Sequence, residues 1–168
     1  MTFFAFDYNN WPVVILTIQG KPTNEKDMKL FLEAWTGVYT YSMQANTRYK
    51  LMFDVRKSTV HPMKDFNHLR VLGEWLVKIK SLTETWMERT AIIVSDPVMR
   101  FIIASVFQIY KAVRPFKVFD EKMLHDAKEW LFQEDDGDLK SFTNEYGNMS
   151  QEEFEAKIRS QYRDDSSS

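Results

Sequence analysis

The chain has 168 residues, none of them cysteine and only five of them glycine, and it has no long apolar run. Without cysteine it can form neither a disulfide nor a thiolate metal site. With five glycines a phosphate-cradling loop is hard to build, and neither G-x-S-x-G nor another catalytic motif occurs. The longest strongly apolar stretch, 101–107, is much shorter than the roughly 20 residues that span a bilayer. These absences predict a soluble, cytoplasmic protein that is not an enzyme and uses no cofactor, with the nucleus as the alternative compartment.

Apolar and aromatic residues are plentiful, at 44% and 15% of the chain, which is enough to build a folded core. Charge divides the chain in two. Residues 1–132 contain 18 Lys+Arg against 14 Asp+Glu, whereas residues 133–168 contain 4 against 10. The first part is mildly basic without a Lys/Arg cluster, which argues against nucleic-acid binding, and the second part is acidic. We therefore predict a folded domain at 1–132 and an acidic linker and tail at 133–168.

Strand-like and helix-like patterns alternate along the domain. Runs of aromatic and β-branched residues predict five strands, at 2–8, 13–18, 49–55, 90–94 and 116–119. Apolar residues at three- and four-residue spacing predict four helices, the first capped by Thr23 or Asn24 and the others at about 62–82, which is the longest, 97–110 and 121–131. The first two strands form an antiparallel hairpin with strand one at the edge, and intervening helices make the later strands parallel. The expected fold is α/β, a mixed sheet of about five strands backed by four helices.

A polar loop, predicted at 56–63, leaves the carboxyl end of the third strand, where open α/β sheets usually place binding groups. We predict that this loop and the start of the next helix bind a protein partner, through Arg56, Lys57, Ser58, Thr59, His61 and Lys64. Ser58 and Thr59 are also candidate phosphoacceptors, because a phosphate near a helix N-terminus and beside cations is stabilised. The alternative is an ordinary polar loop whose hydroxyls cap the following helix.

The helix at 97–110 is apolar almost all round, so it is either buried on most sides or partly exposed for a ligand. The candidate surface for an apolar ligand consists of Arg100, Phe101, Phe107 and Arg114, with the cations placed to meet a polar head group. The alternative is that these residues are core with a solvated rim.

No metal site is expected. The three histidines, His61, His68 and His125, lack the i,i+4 ligand spacing of H-E-x-x-H. Asp54 and Asp96 follow central strands, where α/β enzymes hold carboxylates, but no catalytic motif accompanies them. Asp96 is explained as a cap of the helix that follows it.

The tail carries one helical pattern, at 150–162. Ser150 and Glu153 make a capping box ahead of a thin stripe of Phe154, Ile158 and Tyr162. So short a helix is marginal alone, and it is therefore expected to dock, either on the basic domain of its own chain or in a groove of a partner.

The order of these elements and a set of short segments resemble the STAS superfamily, most closely its SpoIIAA-like branch. The resemblance covers residues 2–132 and not the tail, and it rests on the order and spacing of the segments. They are Gly20-Lys21 with Thr23, Phe53-Asp54-Val55-Arg56, Arg89-Thr90-Ala91-Ile92-Ile93-Val94, Arg114-Pro115-Phe116-Lys117-Val118-Phe119-Asp120 and Ala127-Lys128-Glu129-Trp130-Leu131.

The resemblance implies a mixed sheet backed by helices that serves as a protein-interaction or regulatory module. Family members with anti-anti-sigma activity dock a kinase and are switched off by phosphorylation of a serine in a D-S-S-G-like motif. That motif would fall at Pro62, Met63 and Lys64, none of which is a serine, so a switch would have to use Ser58 or Thr59. The SpoIIAA-like branch also lacks the motif, and its fold resembles that of CRAL-TRIO lipid carriers. Binding of a lipid or small apolar ligand is therefore the second hypothesis, and a homodimer is left open.

Overall fold

The structure, a computed structural model, describes residues 2–61, 63–95 and 97–133, and within 97–109 it leaves out six side chains (101, 104, 105 and 107–109). The strands are β1 (Phe4–Asn10), β2 (Val13–Gly20), β3 (Tyr49–Ser58), β4 (Met87–Val94) and β5 (Phe116–Asp120). The helices are α1 (Glu25–Ala45), α2 (Phe66–Lys78), α3 (Lys80–Trp86), α4 (Pro97–Ile109) and α5 (Leu124–Leu131), with a 3₁₀ turn at Glu121–Met123. The predicted tail helix at 150–162 and the predicted cap Asp96 lie outside the described residues.

All five strands belong to one mixed sheet in the order β1-β2-β3-β4-β5. β1 pairs with β2 antiparallel, and every later neighbour is parallel. The predicted mixed sheet, its N-terminal hairpin and the edge position of β1 are therefore confirmed. A helix separates each pair of parallel strands, which is the connection that parallel pairing requires.

The side chains of each strand alternate between two cores on opposite faces of the sheet. The larger core lies under α1, α2 and α4, and on the strands it includes Leu16, Leu51 and Ile92. The smaller core lies under α5 and includes Met52, Ala91 and Ile93, each one residue along from the first set. The four helices α1 to α4 thus cover one face, and α5 covers the other.

Helix α1 begins and ends with sequence signals that the structure uses. The Asn24 side chain accepts a hydrogen bond from Asp27 N (2.9 Å), which confirms one of the two predicted caps. Asp27 Oδ2 in turn accepts from Thr23 N (2.9 Å) and Thr23 Oγ1 (2.7 Å), and these bonds lower the pKa of Asp27. At the other end Asn46 adopts the left-handed conformation, with φ of 49°, and closes the helix.

Several predicted boundaries differ from the structure: β1 is Phe4–Asn10 rather than 2–8, β4 begins at Met87 rather than 90, and two further differences change the region around the site. β3 runs to Ser58 rather than 55, because its parallel neighbour β2 continues to Gly20 and supplies pairing partners for Lys57 and Ser58. The long helix predicted at 62–82 is two helices, α2 starting at Phe66 and α3 following a break at Ile79, so the longest described helix is α1 with 21 residues. A common apolar stripe runs through both pieces, and the break redirects the chain so that the Thr83 hydroxyl lies 2.9 Å from the Tyr39 hydroxyl.

Candidate functional site

The carboxyl end of β3 carries the first of the predicted partner-binding residues, Arg56. Its side chain forks onto Asp54, with Nε donating to Oδ1 (2.9 Å) and Nη2 donating to Oδ2 (2.8 Å). Burial by itself would raise the pKa of Asp54, but the hydrogen bonds and the charge of Arg56 outweigh it, so this pKa is lowered. Asp54 thus serves as an ionised anchor, and the guanidinium of Arg56 is held in one orientation.

The segment between β3 and α2 is tied together by the Asp65 carboxylate, which is 7% exposed. Asp65 Oδ2 accepts from His61 N (2.7 Å) and lies 3.5 Å from Lys21 Nζ, while Asp65 N donates to His61 O (2.9 Å). The ring of His61 faces the same turn, where its Nδ1 accepts from Met63 N and Lys64 N at 3.1 Å each. This predicted partner-binding histidine is therefore a capping residue, and hydrogen bonds within the chain hold the described residues of the turn together.

The two candidate phosphoacceptors differ in exposure. Ser58 is half-buried in the last position of β3, and its Oγ accepts from Val60 N (3.3 Å). Thr59 is exposed, and its backbone N donates to Gly20 O (2.9 Å). Since α2 begins at Phe66, neither hydroxyl lies in its first turn. The hydroxyl of Thr59 is the one that solvent reaches most easily.

Five exposed side chains surround this hydrogen-bonded turn. We define them as the β3–α2 surface: Lys21, Lys57, Thr59, Met63 and Lys64. Three are cations, and Met63 presents a half-exposed apolar side chain (50%) among them. Of the six predicted partner-binding residues, Lys57, Thr59 and Lys64 are exposed at this surface, whereas Arg56, Ser58 and His61 are partly buried and make hydrogen bonds that support it.

The second predicted site lies between α4 and the sheet, where the structure contains two apolar cavities. The first, of about 70 Å³, is bordered by Arg114 at one side, and the second, of about 80 Å³, reaches Ser58 and His68. Of the candidate ligand residues, Arg100 is exposed and is not among the described residues that border either cavity. The side chains of Phe101 and Phe107 lie outside the described residues.

Sequence reasoning missed a group of buried polar aromatic residues beside the first cavity. Trp35 Nε1 donates to the Tyr49 hydroxyl (3.2 Å), and the Tyr39 and Thr83 hydroxyls are 2.9 Å apart. Burial raises the pKa of Tyr39 to about 12 and raises that of Tyr49 well above its usual value. In the sequence these residues belong to apolar patterns, which predict burial. Their hydroxyl and indole N–H groups are the only features of the sequence that could have predicted a hydrogen-bond network.

On the opposite face, two cations hold the C-terminus of α5. Arg89, only 2% exposed, donates from Nη1 to Trp130 O (2.7 Å), and Lys50 Nζ donates to Leu131 O (2.7 Å). The Arg89 guanidinium also lies 4.7 Å from the centre of the Trp130 ring. Positive charge at the end of a helix is favourable, so these residues anchor α5 to the sheet.

Nothing in the described part of the chain resembles a metal centre or a membrane span. Those residues contain no group of three His, Asp or Glu side chains that could hold an ion, and His125 lies beside Glu129 (3.0 Å) on the surface. No described helix combines the length and apolar character needed to cross a bilayer. Comparisons with protein-family models, curated proteins and solved structures found no match for this chain.

Proposed function

We propose that this protein is a non-enzymatic regulatory module of the STAS type that binds a protein partner through the β3–α2 surface. The observation that carries the proposal is the contrast among the described residues of 54–65. Asp54, His61 and Asp65 hold the backbone in place, whereas Lys57, Met63 and Lys64 point into solvent. A surface ordered in advance loses little conformational entropy on binding, which favours affinity.

The chemistry of the surface indicates the kind of partner. Lysines around an exposed methionine suit a partner with an apolar contact and an acidic rim, because complementary charge speeds association and selects orientation. The mixed sheet with an N-terminal hairpin is the architecture that the resemblance to STAS domains implies, and it supports this type of module. The acidic tail is a candidate modulator, since it matches the charge that the surface would attract.

The test is affinity capture from the host lysate with the full chain, read by quantitative mass spectrometry. The site variant is Lys57→Glu/Lys64→Glu, and the matched control is Lys26→Glu/Lys29→Glu, which makes the same charge change at exposed positions of α1. We expect a partner that the wild type and the control retain and the site variant loses, with affinity for the purified partner reduced about tenfold or more. Equal capture by all three proteins would refute the proposal.

Regulation by phosphate is tested at the same surface. Phosphorylated Thr59 would place roughly two negative charges beside Lys57 and so repel an acidic partner. Thr59→Glu is therefore expected to weaken binding of the captured partner. Thr59→Gln introduces a side chain of the same size as Glu but without its charge, and it is expected to bind as the wild type does. If the two variants bind equally, Thr59 is not a charge-dependent switch.

A further inference from the structure

The helix layer leaves space above the middle of the sheet. The two cavities lie side by side there, and the same four side chains border both: Phe53, Leu72, Ile103 and Val106. Phe53 shows the effect of this space. It belongs to the central strand, yet it is only partly buried, whereas Leu51 and Val55 on the same face of β3 are 1% and 5% exposed. The accessible surface of Phe53 is therefore explained by the space that the cavities leave beside it.

The cavities are poor sites for water, because most of their border is aliphatic or aromatic and the polar groups Thr83, Thr90 and Arg114 of the first cavity already have partners. The Thr83 hydroxyl bonds to Tyr39, Thr90 Oγ1 lies 3.1 Å from Met87 Sδ, and Arg114 Nε donates to Glu88 O (3.3 Å). A buried water needs two to four polar partners, and apolar cavities without them stay dry. What fits such a space is an apolar molecule.

The volume sets the size of that molecule. Together the cavities hold about 150 Å³. Buried apolar cavities of roughly this volume accept a single aromatic ring, whereas drug-sized ligands need roughly 300 Å³ or more. We propose that the two cavities form one binding site for a small neutral apolar molecule, of about the size of benzene with a short substituent. The second cavity reaches Ser58 and so adjoins the β3–α2 surface, but the site includes none of the five side chains of that surface and does not depend on the function proposed for it.

Joining the cavities requires only side-chain movement in the wall that they share. Ile103 and Val106 are three residues apart on α4 and so lie on the same side of that helix. Together with Phe53 of β3 and Leu72 of α2 they form the border that the two cavities share, and rotation of these side chains would open it. Val106 is therefore the position at which added volume should block the site.

Toluene is the probe, and the full chain is the protein tested. We expect toluene to raise the Tm of the wild type by about 3 to 6 °C at ten times its Kd, because it binds the folded state alone. Val106→Leu extends a side chain into the shared wall and is expected to reduce this rise to less than about a third. Val77→Leu makes the same change at a position of α2 that is 47% exposed, and it should respond as the wild type does.

A second measurement locates the ligand without any variant. In methyl NMR spectra of the wild type, toluene should shift the signals of Ile103 and Val106 and leave those of the exposed Val71 and Val77 in place. This readout decides the question if Val106→Leu does not fold. The proposal is overturned if toluene leaves the wild-type Tm unchanged, if it raises the Tm of a folded Val106→Leu as much as that of the wild type, or if the exposed valines shift as much as the cavity residues.

Discussion

Arg89 offers the sharpest test of how this fold is held together. Its guanidinium is buried at 2% exposure, donates to Trp130 O over 2.7 Å and lies 4.7 Å from the Trp130 ring centre. A hydrogen bond from a charged donor contributes about 1.5–3 kcal/mol, and a desolvated cation–π contact contributes about 2 kcal/mol. Removing a buried cation also relieves its desolvation cost, which offsets part of the loss.

For Arg89→Met, which keeps most of the side-chain volume, we expect the free energy of unfolding to fall by about 3 kcal/mol. In a chain of this length that loss corresponds to a fall in Tm of about 6–12 °C. The expected cause is loss of the anchor at the C-terminus of α5, where Trp130 O would lose its charged donor and keep the backbone N–H of Gln133 (3.2 Å). Arg89→Lys keeps the charge but not the planar fork, so it should cost about 1–2 kcal/mol.

The assay is urea unfolding followed by far-UV circular dichroism, with thermal scans as a second reading. Arg70→Met is the matched control, because Arg70 is an exposed residue of α2 whose contact with Glu74 is long (3.7 Å). The control should change the free energy of unfolding by no more than about 0.5 kcal/mol. If Arg89→Met is as stable as Arg70→Met, the anchoring role argued for Arg89 is wrong.

Three further results are expected. Asn46→Gly should match or exceed wild-type stability while Asn46→Ala loses about 1 kcal/mol in thermal unfolding, because φ of 49° suits glycine and strains alanine. The pKa of Tyr39 rises from 10.0 to about 12, so between these pH values the unfolded chain has released a proton that the folded chain keeps. Unfolding free energy should therefore fall by up to about 3 kcal/mol across this range, and Tyr39→Phe should reduce that slope in urea titrations at each pH. The pKa of Asp54 is lowered, so its effect on stability runs the other way: ionised Asp54 stabilises the fold above pH 3.8, and this contribution is lost in more acid solution. Arg56→Met should therefore reduce the fall in unfolding free energy between neutral and acid pH. An unchanged fall would contradict the role described for Asp54.

Local patterns predicted the parts of the fold that depend on near neighbours in the chain. Asn24, one of the two predicted caps of the first helix, accepts a backbone hydrogen bond. The apolar face of α1 was predicted from spacing, and its members Phe31, Trp35 and Tyr39 are buried. The hairpin, the parallel strands and the edge position of β1 followed from element order, because chain connections restrict how strands can pair.

The candidate site was predicted in part. The sequence indicated the region 56–64, since it follows a central strand, but it did not show which side chains there are exposed. Arg56 is held by Asp54 and His61 caps a turn, and neither role follows from residue type alone. The two cavities could not be predicted from the sequence either, because their volume depends on how strands and helices that are distant in the chain pack together.

Composition and periodicity by themselves determined the α/β class of the fold and the alternation of its strands and helices, and the sequence divides by charge into a mildly basic part at 1–132 and an acidic part at 133–168. Tertiary structure decided where β3 ends, where the long helical pattern breaks and why Arg89 is buried. A strand ends where its neighbouring strand stops supplying pairing partners. The last residue of β3, Ser58, pairs with the last residue of β2, Gly20, which lies nearly forty residues away in the chain. A buried cation is stable only where distant carbonyl groups meet it, as Trp130 O meets Arg89, so the burial of Arg89 depends on contacts that no local pattern contains.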